Sequence, residues 1–383
     1  MRLLWHSNAP WLTSAYGSQT ALVTSRISKL TEHEIAAISA PFSFAGAMLE
    51  WDGIPVLPCV RDSAGNDMIT SYYEYFKADA LITLCDPFAL RPAAPFLAQT
   101  RWFPWFPVDC DPLGAGDVTV LREGRGTPVA MSRFGQRVLR AEGADPLFAP
   151  HAVDTSVFCP DGHASYRDSV PGITPDTFVV GICAMNRGRR KALSEQMLAF
   201  SRFHARHPDS FLALHTSPVA APPSVNLPAL AARLGITGAV AYPEGFLYDT
   251  GQITQAQLAD WYRSVDVLSL CSYGEGFGVP LIEAMACGTP VICTDASAMS
   301  ELCGSGWLVS STPDWEEGHQ SWWRRPDVPD IEQAYEAAWQ AREDGTMPVL
   351  EKAAREFALL YDADRVFAQY WVPVLAGIAE QAG

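Results

Sequence analysis

The sequence predicts an α/β protein made of two doubly wound domains, and three observations carry that expectation. The chain has 383 residues, more than one typical domain of about 150 and suited to two. Short apolar runs alternate with helix-like stretches along most of its length, the pattern of parallel strands joined by crossover helices. Between residues 154 and 177, Pro160, Gly162, Pro171, Gly172 and Pro175 interrupt all periodicity and divide the alternation into two series.

In the first series the strands fall at residues 3–6, 35–39, 54–59, 80–85 and 128–132, with helices such as 18–30 and 133–141 between them. In the second they fall at 178–184, 211–215, 239–242, 265–272, 290–295 and 307–309, with helices such as 191–204 and 281–286. Beyond Trp315 the strand pattern stops, and helices follow at 331–342 and 348–359, the second starting on Pro348, which a first turn tolerates. A last helix at 364–378 is placed to return to the first domain. The expected organisation is a domain over 1–155, a linker over 156–176, a domain over 177–360 and a returning helix within 361–383. Two such sheets leave a cleft at the carboxyl ends of their strands, where ligands of doubly wound folds bind.

Composition narrows the class further. The hydrophobic share is 48% and the charged share 18%, which excludes disordered, collagenous and coiled-coil chains. The formal net charge of −16 argues against tight nonspecific binding to nucleic acid. The start, Met1 to His6 running into polar Ser7 and Asn8, has no leader-like apolar stretch, and no apolar run reaches the length of a membrane span. Nine cysteines without a C-x-x-C pair suit a reducing compartment, so the expected location is cytoplasmic.

The most informative stretch runs Ser272-Tyr-Gly-Glu275-Gly-Phe-Gly278-Val-Pro280-Leu-Ile-Glu283 and on to Cys287-Gly288-Thr-Pro290. It follows an apolar strand and opens a helix at Val279 and Pro280. Glycines at 274, 276 and 278 allow a ligand to approach the backbone closely, and the helix start suits an anion. Two ligand classes fit these residues. One is a nicotinamide dinucleotide: Gly274, Gly276 and Gly278 approximate G-x-G-x-x-G, and Asp295 stands where a ribose-binding acid belongs. In that reading the protein is an NAD-dependent oxidoreductase, although the third glycine comes one position early and the loop follows a fourth strand rather than a first. The other class is a sugar nucleotide, and there the wording of the motif is more specific.

Glu275 and Glu283 stand as E-x7-E within EGFGVPLIEAMACGTPVI, which resembles the signature of retaining glycosyltransferases of the family-four type with the GT-B fold. Ala149 to Pro160 is similar to the family's interdomain segment, Cys183 to Lys191 to its basic diphosphate-binding stretch, and Ser7 to Gly17 to its N-terminal glycine loop. The resemblance implies two Rossmann-like domains facing a cleft and transfer of a hexose from a UDP- or GDP-sugar to an acceptor hydroxyl. It also implies retention of configuration, no metal and no cofactor beyond the donor substrate itself. By position, Glu283 would bind the ribose hydroxyls, Glu275 the donor sugar, and Gly276, Phe277 and Gly278 would offer backbone N–H groups. Arg187 and Lys191 would neutralise the departing diphosphate, with Arg190 beside them and Gly17 closing over the donor. Glu275, Arg187 and Lys191 are thus the candidate catalytic residues.

Acceptor recognition falls to the first domain. Asp109 and His6 are the candidate residues, hinge packing accounts for His151, and a metal-binding role for Asp109-Cys110-Asp111 is not expected. Arg101, Arg122, Arg125, Arg133, Arg137 and Arg140, with Trp102, Phe103, Trp105 and Phe106, suggest either an acceptor surface with aromatic platforms or an ordinary core. The Ser7-to-Trp11 start is similar to phage and environmental members. That similarity makes hydroxymethylated DNA (5-hydroxymethylcytosine) one candidate acceptor, beside a glycan, lipid or protein hydroxyl.

Overall fold

The computed structural model describes residues 1–39, 47–59, 61, 62 and 64–381. Two compact units emerge: Met1–Ala152 with Trp315–Trp322 and Ala363–Gly383, and Val153–Asp314 with Trp323–Asp362.

The first unit is built on eight strands: β1 (Arg2–Ser7), β2 (Glu34–Ser39), β3 (Leu49–Trp51), β4 (Ile54–Leu57), β5 (Ala80–Leu84), β6 (Trp102–Phe106), β7 (Val129–Ala130) and β8 (Leu147–Phe148). They lie in the order β3-β4-β2-β1-β5-β6-β7-β8. All neighbours are parallel except β3 and β4, which form a hairpin. Its turn, Asp52-Gly53, has positive φ at both residues, the conformation an Asp-Gly pair adopts readily. Leu3, Leu4 and Trp5 of β1 are wholly buried, as expected of a central strand covered on both faces. The helix Arg133–Ala141 takes the bounds its pattern predicts, started by Ser132, whose hydroxyl accepts from the Gly135 N–H.

The strand β6 is absent from the sequence reading, and its presence decides the aromatic question. Trp102, Phe103, Trp105 and Phe106 are all buried, so they are core and not an acceptor platform. The indole N–H of Trp102 donates to Thr83 Oγ1 at 3.0 Å and that of Trp105 to the Ala149 carbonyl at 2.8 Å, which satisfies both polar ends. Trp105 also meets Trp371 edge-on at 4.9 Å between ring centres. The segment carrying Trp371 is not one helix over 364–378. It runs as a short helix Ala363–Val366, a π-turn Phe367–Trp371 and a helix Val372–Glu380. Pro373, lacking an N–H, cannot continue the earlier ladder and starts the second helix instead.

The second unit holds six parallel strands: β9 (Phe178–Cys183), β10 (Ser210–His215), β11 (Val240–Ala241), β12 (Val267–Leu270), β13 (Val291–Thr294) and β14 (Gly306–Val309). Their order is β11-β10-β9-β12-β13-β14, the doubly wound arrangement in which the winding reverses between the first and fourth strands. Residues 156–176 pack on this unit. Ser165 and Tyr166 donate backbone N–H groups to Asp260, and Arg167 pairs with Asp266 at 2.6 Å.

Strands do continue beyond residue 315, against the sequence reading. β15 (Ser311–Glu316) and β16 (Ser321–Pro326) form a hairpin whose tip clusters with the first unit. In β16, Ser321 and Trp323 are buried while Trp322 and Arg324 are exposed. The adjacent tryptophans masked this period of two.

Candidate functional site

In the second unit the loops that follow β9 and β12 meet, because these neighbouring strands flank the point where the winding reverses. Sequence places the basic stretch after β9 and the glycine loop after β12, so the topology brings them together.

The loop after β9 is fixed from beneath. The Asn186 side-chain amide donates to the carbonyls of Ser217 (3.0 Å) and Val225 (2.7 Å) and accepts from the Val225 N–H. From this support Arg190 donates through Nη1 to the Gly274 carbonyl at 2.7 Å and to Glu275 Oε2 at 2.9 Å. Lys191 Nζ lies 2.5 Å from Glu275 Oε1, which also accepts from the Ser272 hydroxyl. The Glu275 carboxylate is therefore buried with two cations and a hydroxyl upon it. Burial alone would raise its pKa, but Lys191 and Arg190 prevail and hold it at about 2. Burial, with the neighbouring Arg190, lowers the pKa of Lys191, while Glu275 opposes that shift.

Backbone bonds hold Glu275 from the other side. Its N–H donates to Ser297 Oγ at 3.0 Å and its carbonyl accepts from Ala298 N–H. Ser297 takes a positive φ of 52°, a left-handed geometry with a modest cost for a serine. Gly278, at φ 108°, turns the chain into the helix Val279–Ala286, a conformation glycine adopts without penalty. Phe277 is buried against Tyr361, 5.7 Å between ring centres.

Glu283 lies inside that helix and is also buried. Its Oε2 accepts from the Tyr262 hydroxyl at 2.9 Å. Burial pushes its carboxyl up to about 7, against the pull of that hydrogen bond. The ordinary value is 4.5, so the unfolded chain ionises this group first. Folding is then progressively disfavoured as pH climbs from about 4.5 to 7, by an amount on the order of 3 kcal/mol. Glu283→Gln is accordingly expected to raise the melting temperature of the ligand-free protein at pH 8, with the gain shrinking toward pH 4.5. A lower melting temperature at pH 8 would contradict this balance.

Not every expected residue joins the cluster. Arg187 is exposed, two positions before Arg189, which pairs with Asp314 at 2.7 Å. Gly17 sits in the first unit, where its N–H donates to the capping Ser14 hydroxyl. An added Cβ there would stand 2.3 Å from the Leu12 carbonyl oxygen, so close packing by itself requires a glycine. Asp295 is exposed and accepts from Ser300 Oγ at 2.7 Å, a local side-chain bond.

His6, near the end of β1, is buried, and among the described residues its Nδ1 has no hydrogen-bond partner. Burial lowers its pKa to about 4, so it is neutral at physiological pH. Asp109 is half-buried, Cys110 is buried, and Asp111 pairs with Arg137 at 2.9 Å. His151 stacks on Trp105 with 4.6 Å between ring centres, a packing role. Sequence reading missed Asp117, a buried carboxyl raised to about 7 by its burial and by nearby Asp86. It accepts from the Phe88 N–H at 3.0 Å and has His319 of the hairpin tip as a neighbour. It missed Ser272, Ser297 and Tyr262 as well. Ser272 reaches Glu275 from three positions earlier in the same loop, whereas Ser297 and Tyr262 carry no local motif and matter through contacts between distant segments.

Part of this chain is similar in sequence to known proteins. Residues 227–318, which include both glutamates, match the family model described as Glycosyl transferases group 1. D-inositol 3-phosphate glycosyltransferase 2 of Catenulispora acidiphila is 32% identical over 178 residues, 44% of this chain and 40% of that protein. O-antigen chain mannosyltransferase B of Escherichia coli is 34% identical over 71 residues, 18% of this chain and 19% of that protein. The chain spans less than half the length of these curated relatives. Similarity of structure extends further. Sucrose-phosphate synthase from Thermosynechococcus elongatus superposes with a TM-score of 0.74 at 16% identity, covering 98% of this chain and all of that one. HepE from Anabaena in complex with UDP-glucose gives 0.72 at 16% identity, covering 98% and 100%. The chain has the GT-B fold, as the motif resemblance implies. Among the described residues no helix is long and apolar enough to cross a membrane.

Proposed function

We propose that this chain is a retaining, metal-independent glycosyltransferase that moves a hexose from a UDP- or GDP-sugar to an acceptor hydroxyl. The observation that carries the proposal is the Glu275 carboxylate held by Arg190 and Lys191 where the second sheet reverses its winding, with Glu283 on the helix that follows. Two cations at such a place suit a diphosphate, whose negative charge grows as the glycosidic bond breaks. Glu283 would accept from the ribose hydroxyls, and Glu275 from those of the hexose.

A carboxylate held at about 2 by two cations and a hydroxyl is a poor nucleophile and a weak base. Glu275 is therefore assigned to sugar binding. The acceptor hydroxyl attacks the anomeric carbon on the face from which the diphosphate departs, and that diphosphate takes the proton. The rival dinucleotide reading has less support. A dinucleotide loop follows the first strand of its sheet, whereas 274–278 follows β12, and Asp295 is bonded to its own neighbour Ser300.

The first unit is assigned the acceptor. Hydroxymethylated DNA, a glycan, a lipid and a protein hydroxyl are the acceptor classes to offer. Glu283→Ala is expected to abolish UDP- or GDP-sugar binding in calorimetry and to leave any nicotinamide cofactor binding untouched. Unchanged sugar-nucleotide binding would refute the assignment.

A further inference from the structure

Tyr262 lies on the helix Gln255–Arg263, outside every motif that the sequence displays. Its ring is wholly buried, edge-on to Phe158 at 6.1 Å and to Trp261 at 5.2 Å, and its carbonyl accepts from Thr289 Oγ1 at 2.8 Å. The ring is thus fixed, and its hydroxyl is delivered to Glu283 Oε2 at 2.9 Å. A phenol buried that deeply needs a hydrogen-bond partner, and here the partner is the carboxyl assigned to the ribose.

We propose that Tyr262 is a positioning residue that orients Glu283 for the nucleoside ribose and couples donor binding to the loss of one proton from that carboxyl. This inference rests on the sugar-nucleotide reading of the site. Ribose hydroxyls donate to a carboxylate far better than to a carboxylic acid. Binding therefore draws Glu283 into its ionised form, and the proton passes to solvent.

The surroundings leave this titration to few groups. From β9 the Cys183 thiol faces the Tyr262 hydroxyl, and the Cys287 thiol, at the end of the helix Val279–Ala286, lies near Glu283. Lys191 is next to Cys183 but is engaged by Glu275. Arg263 and Arg355 lie beside Cys287, and Arg355 donates to the Ala286 carbonyl at 2.8 Å. The strand β12 bears no ionisable side chain, and β13 bears the Cys293 thiol alone. Among the described residues no cation pairs with Glu283, so its ionisation depends on the Tyr262 hydroxyl.

The test is the affinity of UDP-glucose and GDP-mannose, measured from pH 6 to pH 9 on the full chain. Their diphosphates, esterified at both ends, have no proton to lose in this range. Affinity of the unaltered protein is expected to rise with pH and level off above about pH 7, the value set by Glu283, with nearly one proton released on binding at pH 6 and none at pH 9, read in buffers of different ionisation enthalpy. Tyr262→Phe preserves the ring and removes the donor. It is expected to move the midpoint up by about one pH unit, weakening binding roughly tenfold at pH 6 and little at pH 9. A loss equal at every pH, or no loss, would overturn the positioning role. Glu283→Gln separates the two levels. Weak, pH-independent binding upholds the coupling, whereas undiminished binding would show that the sugar-nucleotide reading itself fails.

Discussion

Glu275→Gln is expected to reduce glycosyl transfer by about two to three orders of magnitude, the usual consequence of removing one preorganised group from a charged active site. The amide keeps the shape of the side chain but loses the charge that two cations share. Lys191 at 2.5 Å and Arg190 at 2.9 Å would no longer have their carboxylate, and the hexose would keep only a neutral amide oxygen as acceptor. Leaving Lys191 and the partly exposed Arg190 without their buried carboxylate partner also costs stability. Binding of UDP or GDP should partly restore that loss, because a diphosphate supplies the missing negative charge. The check is turnover together with melting temperature, each with and without the nucleotide. Near-normal turnover, or no nucleotide-dependent recovery of stability, would contradict the assigned geometry.

Gly306→Ala is expected to destabilise the second unit by about 4 kcal/mol or more, enough to unfold it at moderate temperature. Gly306 opens β14 with φ at 140°, a region that L side chains rarely enter. An added Cβ would stand 1.8 Å from the Val291 carbonyl oxygen, and that atom belongs to the neighbouring strand, β13, which cannot move aside. The damage would travel toward the site, since β13 leads directly to Ser297 and its bond with Glu275. Gly188→Ala is the control. It has φ at 65° with nothing within 4 Å of the added Cβ, so only about 1 kcal/mol of backbone cost is expected. Urea unfolding of both variants decides the matter, and equal midpoints would show that the close approach is relieved by relaxation.

The parallel sheets were legible because buried central strands are nearly continuous apolar runs, as in Phe178–Cys183 and Val291–Thr294. β6 was hidden because Pro104 sits within Trp-Phe-Pro-Trp-Phe, and proline ordinarily argues against an interior strand. The hairpin tip was hidden because a two-stranded element relies on packing against other residues, here the segment around Pro112 and Gly114.

The site divided in the same way. Glu275, Glu283, Arg190 and Lys191 were found because the motif is contiguous and its chemistry is carried by residue type. Their supports were not, because Tyr262 lies 21 positions before Glu283 and Ser297 lies 22 after Glu275. Arg187 is the instructive case. It shares the loop with Lys191 yet is exposed, and the partner expected for it is the donor diphosphate rather than Glu275.

One measurement bears on the whole reading. The protein is incubated with UDP- and GDP-hexoses, offered in turn DNA containing 5-hydroxymethylcytosine, a glycan, a lipid and a protein acceptor, and released nucleoside diphosphate is assayed alongside mass spectrometry and anomeric analysis of the product. The expected outcome is release of UDP or GDP with a hexose adduct that keeps the donor's anomeric configuration, and loss of both in Glu283→Ala. Failure of every sugar nucleotide to bind or to be cleaved, beside measurable binding of a nicotinamide dinucleotide, would contradict it.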